Sequence, residues 1–168
     1  MSSTTTSPEN FIQGDVKSRI DRWIANYPEE QKKSAVMAAL RIVQECNGGH
    51  LTNDLMDQIA VYLEITSMEV YEVATFYGNY EHAPVGDIKL CICNSISCML
   101  RGNQEIYEYL EQRLGIKPGQ TTADGRFTIK KVECLGACGG APMMQVGKDY
   151  HMNLTNQSLD LLLAEWEK

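Results

Sequence analysis

The chain has 168 residues, 43% of them apolar, enough to bury one substantial core or a compact domain with a smaller appendage. No apolar run approaches the roughly 18 to 20 residues a membrane span needs, so direct membrane insertion is not expected. The net charge of −7 repels phosphate backbones, and Lys32-Lys33 and Lys130-Lys131 are isolated pairs, so no nucleic-acid partner is expected.

Met1 to Asn10 is polar and no apolar segment follows it, which predicts no signal peptide and a reducing, cytoplasmic setting. Structural disulfides rarely persist there, so the six cysteines ask for another explanation. Residues 1–13 are rich in Ser and Thr and read as a disordered tail.

Over residues 14–80 the pattern is helical. Asp15 is placed to cap a first helix with Val16, Ile20, Trp23 and Ile24 on its apolar face, stopped near Tyr27-Pro28. Pro28 suits the first turn of a second helix carrying Ala35, Ala38, Leu40, Ile42 and Val43, which Asn47-Gly48-Gly49 ends. Thr52 opens a third helix bearing Leu55, Ile59, Ala60 and Leu63, and Thr66 or Ser67 caps a fourth bearing Val70, Tyr71 and Val73. Together these predict a small N-terminal helical bundle. Cys46, near the end of the second helix, reads as a half-buried small apolar residue. Trp23, Tyr77 and Tyr80 are more aromatic surface than such a bundle needs, which makes it a candidate docking face.

Glu81-His-Ala-Pro-Val-Gly86 is turn-rich and marks a linker over residues 81–86. Residues 87–168 then read as an α/β domain. Strands are expected at Asp87 to Cys93, Arg126 to Glu133, Met143 to Val146 and Tyr150 to Leu154, with Gly147-Lys148-Asp149 turning the last pair. Helices are expected from Asn103 to Leu114 and, capped by Thr155 or Asn156, through Leu159, Leu162, Leu163 and Trp166. The order β-α-β-β-β-α is compatible with a thioredoxin-like α/β sandwich.

The chemistry sits in two cysteine pairs, each directly after a strand-like run. Cys93-Asn-Ser-Ile-Ser-Cys98 follows the first, and Cys134-Leu-Gly-Ala-Cys138 follows the second. Neither is a C-x-x-C pair, so the usual zinc knuckle and the thioredoxin dithiol are both missing. Pairs of this spacing from two separate loops suit a [2Fe–2S] cluster, which takes two cysteines per iron, with zinc and other redox thiols as the alternatives. Cys91 shares a strand face with Cys93 but lies deeper, and reads as a core cysteine. No G-x-G-x-x-G loop accompanies the strands, so nothing predicts autonomous NADH oxidation, and no catalytic residues are expected on this chain.

At these residues the chain resembles the family of thioredoxin-like [2Fe–2S] E subunits of bacterial NADH:quinone oxidoreductase, respiratory complex I. The resemblance extends to Val73-Ala-Thr-Phe-Tyr77, Gly115-Ile-Lys-Pro-Gly119, Asp124-Gly-Arg-Phe127 and Ala141-Pro-Met143, and covers roughly residues 15 to 165. It implies an α/β, thioredoxin-like [2Fe–2S] ferredoxin domain preceded by the helical bundle. It also implies one cluster, with Cys93 and Cys98 on one iron and Cys134 and Cys138 on the other.

The same resemblance implies an electron-transfer subunit that exchanges single electrons with the FMN of a partner binding NADH and FMN. An adjoining iron–sulfur subunit would be a second partner, on the cytoplasmic side of the inner membrane. Equivalent subunits serve soluble NAD-dependent formate dehydrogenases and NAD-coupled hydrogenases, and the cysteine pattern does not separate these. A zinc-stabilised interaction module and a thiol–disulfide oxidoreductase are the alternatives of other classes.

Overall fold

The computed structural model describes residues 10–167, which divide into two compact units, the first ending at Pro84 and the second beginning at Val85. The first is helical: α1 (Gly14–Ile24), a 3-10 stretch (Glu29–Ala35), α2 (Val36–Cys46), α3 (Asn53–Leu63) and α4 (Ser67–Phe76). Apolar side chains at helical spacing meet in one core that includes Ile20, Leu40, Val43, Leu55, Ile59, Leu63 and Val70. Thr52 caps α3 by accepting the Leu55 N–H, and Thr66 with Glu69 forms a capping box on α4.

Several expectations are corrected in this unit. Residues 1–9 of the expected tail lie outside the described residues, but its end is part of the fold. Ile12 is buried in the helical core, and the Phe11 N–H donates to Gln58 Oε1 at 2.6 Å. The N-cap of α1 is Gln13, with no side-chain cap bond, and Asp15 lies in the first turn, where its charge favours the helix dipole. The expected second helix is divided, with Gln31 off helical geometry, because Glu29–Ala35 buries only Ala35 and gains little from continuing a regular helix. Cys46 is exposed rather than half-buried, 3.3 Å from Arg19 Nη1. Tyr80 is core, not surface, and its hydroxyl donates to Met37 O at 2.9 Å.

The second unit is a four-stranded sheet in the order β2-β1-β3-β4, formed by β1 (Ile88–Cys93), β2 (Phe127–Val132), β3 (Met144–Val146) and β4 (Asp149–His151). β1 and β2 are parallel, in register from Ile88↔Phe127 to Cys93↔Val132; β3 is antiparallel to both β1 and β4. The helices are α5 (Ile96–Leu100), α6 (Asn103–Leu114) and α7 (Asn156–Trp166). Parallel neighbours need a crossover, and α6 supplies it. Leu90, Ile92, Ile129 and Met144 of the sheet pack with Ile106, Tyr107 and Leu110 of α6 and Leu159 and Leu163 of α7. Thr155 caps α7 in a box with Ser158.

Here too the structure departs from expectation. The hairpin turn is the two residues Gly147 and Lys148, because Val146 pairs with Asp149, and Gly147 supplies the positive φ of +59°. Asp149 thus opens β4, which ends at His151. Residues 81 and 82 belong to the helical unit: the Leu51 N–H donates to Glu81 O at 2.7 Å, and His82 Nε2 lies 3.1 Å from Ala74 O. Gly86 is part of the second unit, its N–H donating to Thr128 Oγ1 at 2.7 Å. Among the described residues no helix is long and apolar enough to cross a membrane.

Gly86 sets the approach to β1. A Cβ there would stand 2.8 Å from the Arg126 carbonyl carbon and oxygen and 2.9 Å from Phe127 N, all backbone atoms that cannot swing aside. Gly86→Ala therefore destabilises the second unit by about 1–3 kcal/mol, the usual cost of forced overpacking, measurable by denaturant unfolding.

Candidate metal centre

The parallel register of β1 and β2 ends both strands together. Cys93 is the last residue of β1 and pairs with Val132, the last of β2, and the Asn94 N–H donates to Val132 O at 2.7 Å. From Asn94 the chain turns into α5, whose buried residue is Cys98, while Ile96, Met99 and Leu100 on the same short helix are exposed. Cys93 and Cys98 are both buried and in hydrogen-bonding contact. The Cys93 thiol also donates to Glu133 O at 3.4 Å, which ties the first loop to the start of the second. Burial, then the neighbouring Cys93, push the Cys98 thiol up to about 11; a backbone hydrogen bond from Met143 acts against them, and the charge of Cys138 adds to them.

The second loop turns at Gly136, whose φ of +74° is a conformation that side-chain-bearing residues avoid, and then makes a single 3-10 turn over Cys138–Gly140. Cys134 and Cys138 are exposed. The residues between them do the anchoring: Leu135 and Ala137 pack on a small apolar cluster of Cys93, Cys98, Ala141 and Met143. The β4 side holds this loop in turn. The Tyr150 hydroxyl donates to Leu135 O at 3.0 Å, and the Asn153 N–H donates to Gly140 O at 2.7 Å.

Two residues that sequence reasoning passed over complete the surroundings. Asn103 Nδ2 donates to Cys93 O at 2.9 Å, and the Tyr107 hydroxyl donates to Ile92 O at 2.7 Å, both buried. Burial, with the charges of Cys93 and Cys98, raises the Tyr107 hydroxyl above its ordinary value, so it stays a neutral donor. Both lie one helical turn apart on α6, a pattern that a search for ionisable or sulfur ligands does not pick out. Cys91, expected in the core, is half-buried in mid-strand, opposite Lys130 on β2 and Gln145 on β3.

The sequence profile of the thioredoxin-like [2Fe-2S] ferredoxin family matches residues 20–167. The chain belongs to this family. It is 45% identical over 151 residues to an E subunit of the NADH-quinone oxidoreductase of Rhizobium meliloti (strain 1021), covering 90% of this chain and 88% of that one. NADH dehydrogenase [ubiquinone] flavoprotein 2, mitochondrial, of Dictyostelium discoideum is 38% identical over 159 residues; the match covers 95% of this chain and 64% of that protein. Among solved structures, an NAD+-reducing [NiFe]-hydrogenase in the air-oxidized state shares the fold, with a TM-score of 0.68 and 19% identity. That match covers 84% of this chain and 24% of the hydrogenase chain. By these relatives the chain is an oxidoreductase component, of the same kind as the E subunits of NADH-quinone oxidoreductase.

The family implies an iron–sulfur cluster, and the residues present fit one. The candidate donors are four cysteine sulfurs in two pairs, one after β1 and one after β2, and Leu135 and Ala137 of the second loop pack on the apolar cluster that includes Cys93 and Cys98. A thiol as buried as Cys98 makes a poor thiolate until a cation offsets its desolvation, and coordinated metal is such a cation. Among the described residues no group of three or more His, Cys, Asp or Glu side chains is gathered as a site for a metal ion. What the structure brings together is Cys93 with Cys98, and Cys138 within electrostatic reach of Cys98.

Thiol alkylation of the metal-free chain, followed by peptide mass spectrometry, reads this asymmetry directly. Cys46, Cys134 and Cys138 are labelled first, and Cys93 and Cys98 at least about tenfold more slowly, since reaction needs an accessible thiolate. Equal rates at Cys98 and Cys134 would contradict the burial described.

Proposed function

We propose that Cys93 and Cys98 hold one iron of a [2Fe–2S] cluster and Cys134 and Cys138 the other. Through it this chain exchanges single electrons with the FMN of a partner subunit that binds NADH. Bound there, the cluster supplies one-electron redox chemistry. The observation that carries the reading is the in-register ending of β1 and β2, after which each strand runs straight into a cysteine loop. The buried first pair keeps water from one side, and the exposed second pair leaves a face open toward a partner.

The relatives support an assembly of the complex I kind. The 45% identical relative from Rhizobium meliloti is matched along 88% of its length, whereas the match spans 24% of the hydrogenase chain, whose likeness shows the fold alone. On this reading the chain works as a peripheral subunit on the cytoplasmic side of the inner membrane, beside the flavin subunit and an adjoining iron–sulfur subunit. The docking surface for the flavin subunit includes exposed aromatics of the helical unit. Phe76 is 80% exposed and Trp23 and Tyr77 are each 40% exposed, values that core packing does not account for. Phe76 and Tyr77 stack edge to face, with ring centroids 5.1 Å apart.

Anaerobic purification with iron and acid-labile sulfide analysis tests the cluster. Two irons and two sulfides per chain are expected, lost in Cys93→Ala and Cys138→Ala and kept in Cys91→Ala. A colourless protein with one zinc per chain would overturn the electron-transfer reading and favour a zinc-stabilised module. Phe76→Ser tests docking: stability stays within about 0.5 kcal/mol, as for a surface change. Affinity for the flavin subunit falls by about tenfold or more, as for an aromatic anchor.

A further inference from the structure

We propose that Asn103 is a positioning residue: its amide latches the first cysteine loop shut and so governs how long the Cys93–Cys98 pair holds its metal. The metal half of this statement rests on the cluster reading above; the latch itself does not.

Asn103 is 2% exposed, and a buried primary amide is costly unless its hydrogen bonds are made. Its Nδ2 donates to Cys93 O at 2.9 Å and lies 3.5 Å from Asn94 Oδ1. Capping is not its task, because the N-cap of α6 is Gly102 in the left-handed region, with no side-chain cap bond. On the β3 side the Cys93 N–H donates to Met143 O at 3.2 Å, while the Cys93 carbonyl takes its donor from α6. One turn along the helix, Tyr107 donates to the preceding carbonyl, Ile92 O, at 2.7 Å. Two side chains of one helix thus hold two successive carbonyls at the point where β1 must stop and the loop begin.

The latch closes a ring of chain containing both cysteines, from Cys93 through Cys98 to Asn103. Inside it, the Arg101 N–H donates to Cys98 O at 3.2 Å and the Gly102 N–H to Met99 O at 3.1 Å, so α5 and α6 meet in a tight turn. With the ends of the ring joined, the Cys93–Cys98 spacing is held. With Cys93 O released, the loop gains freedom, and the buried carbonyl is left unpaired.

The test compares wild type with Asn103→Leu, which keeps volume and loses the donor, and Asn103→Ala as a second variant. Far-UV circular dichroism and melting temperature establish folding. In the metal-free full-length chain, alkylation of Cys93 and Cys98 accelerates by about tenfold, the change expected when one buried hydrogen bond is lost, while Cys46 reacts unchanged. In the chain loaded with iron and sulfide, the variants lose iron to a chelator about tenfold faster and show an altered visible circular dichroism spectrum. Unchanged alkylation in a folded variant would overturn the latch. Accelerated alkylation with unchanged iron loss would overturn its effect on the metal. Failure of both variants to fold would also overturn the proposal, by making Asn103 a folding residue. If wild type takes up no iron and sulfide, the cluster reading fails on its own and the alkylation result still decides the latch.

Discussion

The site depends on one constraint, the parallel pairing of β1 with β2 in a register that ends both strands together. Parallel strands point their C-terminal ends the same way, so whatever follows each strand emerges at the same end of the sheet. Here both strands run into cysteine loops. A shift of one residue would move Cys93 to the other face and part it from Cys98. Gly86 bears on this register, since its lack of a side chain lets the chain pass against Arg126 and Phe127 at the other end of the same pair.

Given that register, the two loops divide the labour. The first buries its cysteines and displays its apolar residues: Cys93 and Cys98 point inward while Ile96, Met99 and Leu100 are exposed. The second does the reverse, packing Leu135 and Ala137 and exposing Cys134 and Cys138. One small apolar cluster therefore joins the cysteines of the first loop to the spacers of the second. Burial, with Cys93 beside it, disfavours ionisation of the Cys98 thiol, a condition that metal coordination reverses. Support comes from α6, whose Asn103 and Tyr107 bond the last two carbonyls of β1.

Much of this was legible in the residues. Thr52 was identifiable as a cap because a side-chain oxygen before an apolar periodic run has one well-defined use, and of the pairs Thr66 or Ser67 and Thr155 or Asn156 the structure selects the threonines. The crossover helix and the parallel strands followed from the change of period after residue 86. Short elements were less legible. The five residues of α5 are too few to show a period, and β4 began a residue earlier than expected because the hairpin uses a two-residue turn. Burial of single residues at the ends of elements was also hard to read. Cys46 and Tyr80 exchanged the roles that composition suggested, the first exposed at a helix end and the second hydrogen-bonded within the core.

Sequence by itself determined the two cysteine pairs, their spacing and their place directly after two strands, because those are properties of covalent order and of the period-2 pattern. It also determined the family, through motifs distributed along most of the chain. Only the tertiary structure decided which pair is buried, which residues cover it and which side chains brace it. Those outcomes depend on contacts between segments far apart in the chain, such as Leu135 on the cluster of Cys93 and Cys98, and Asn103 on the Cys93 carbonyl, and no local pattern encodes them.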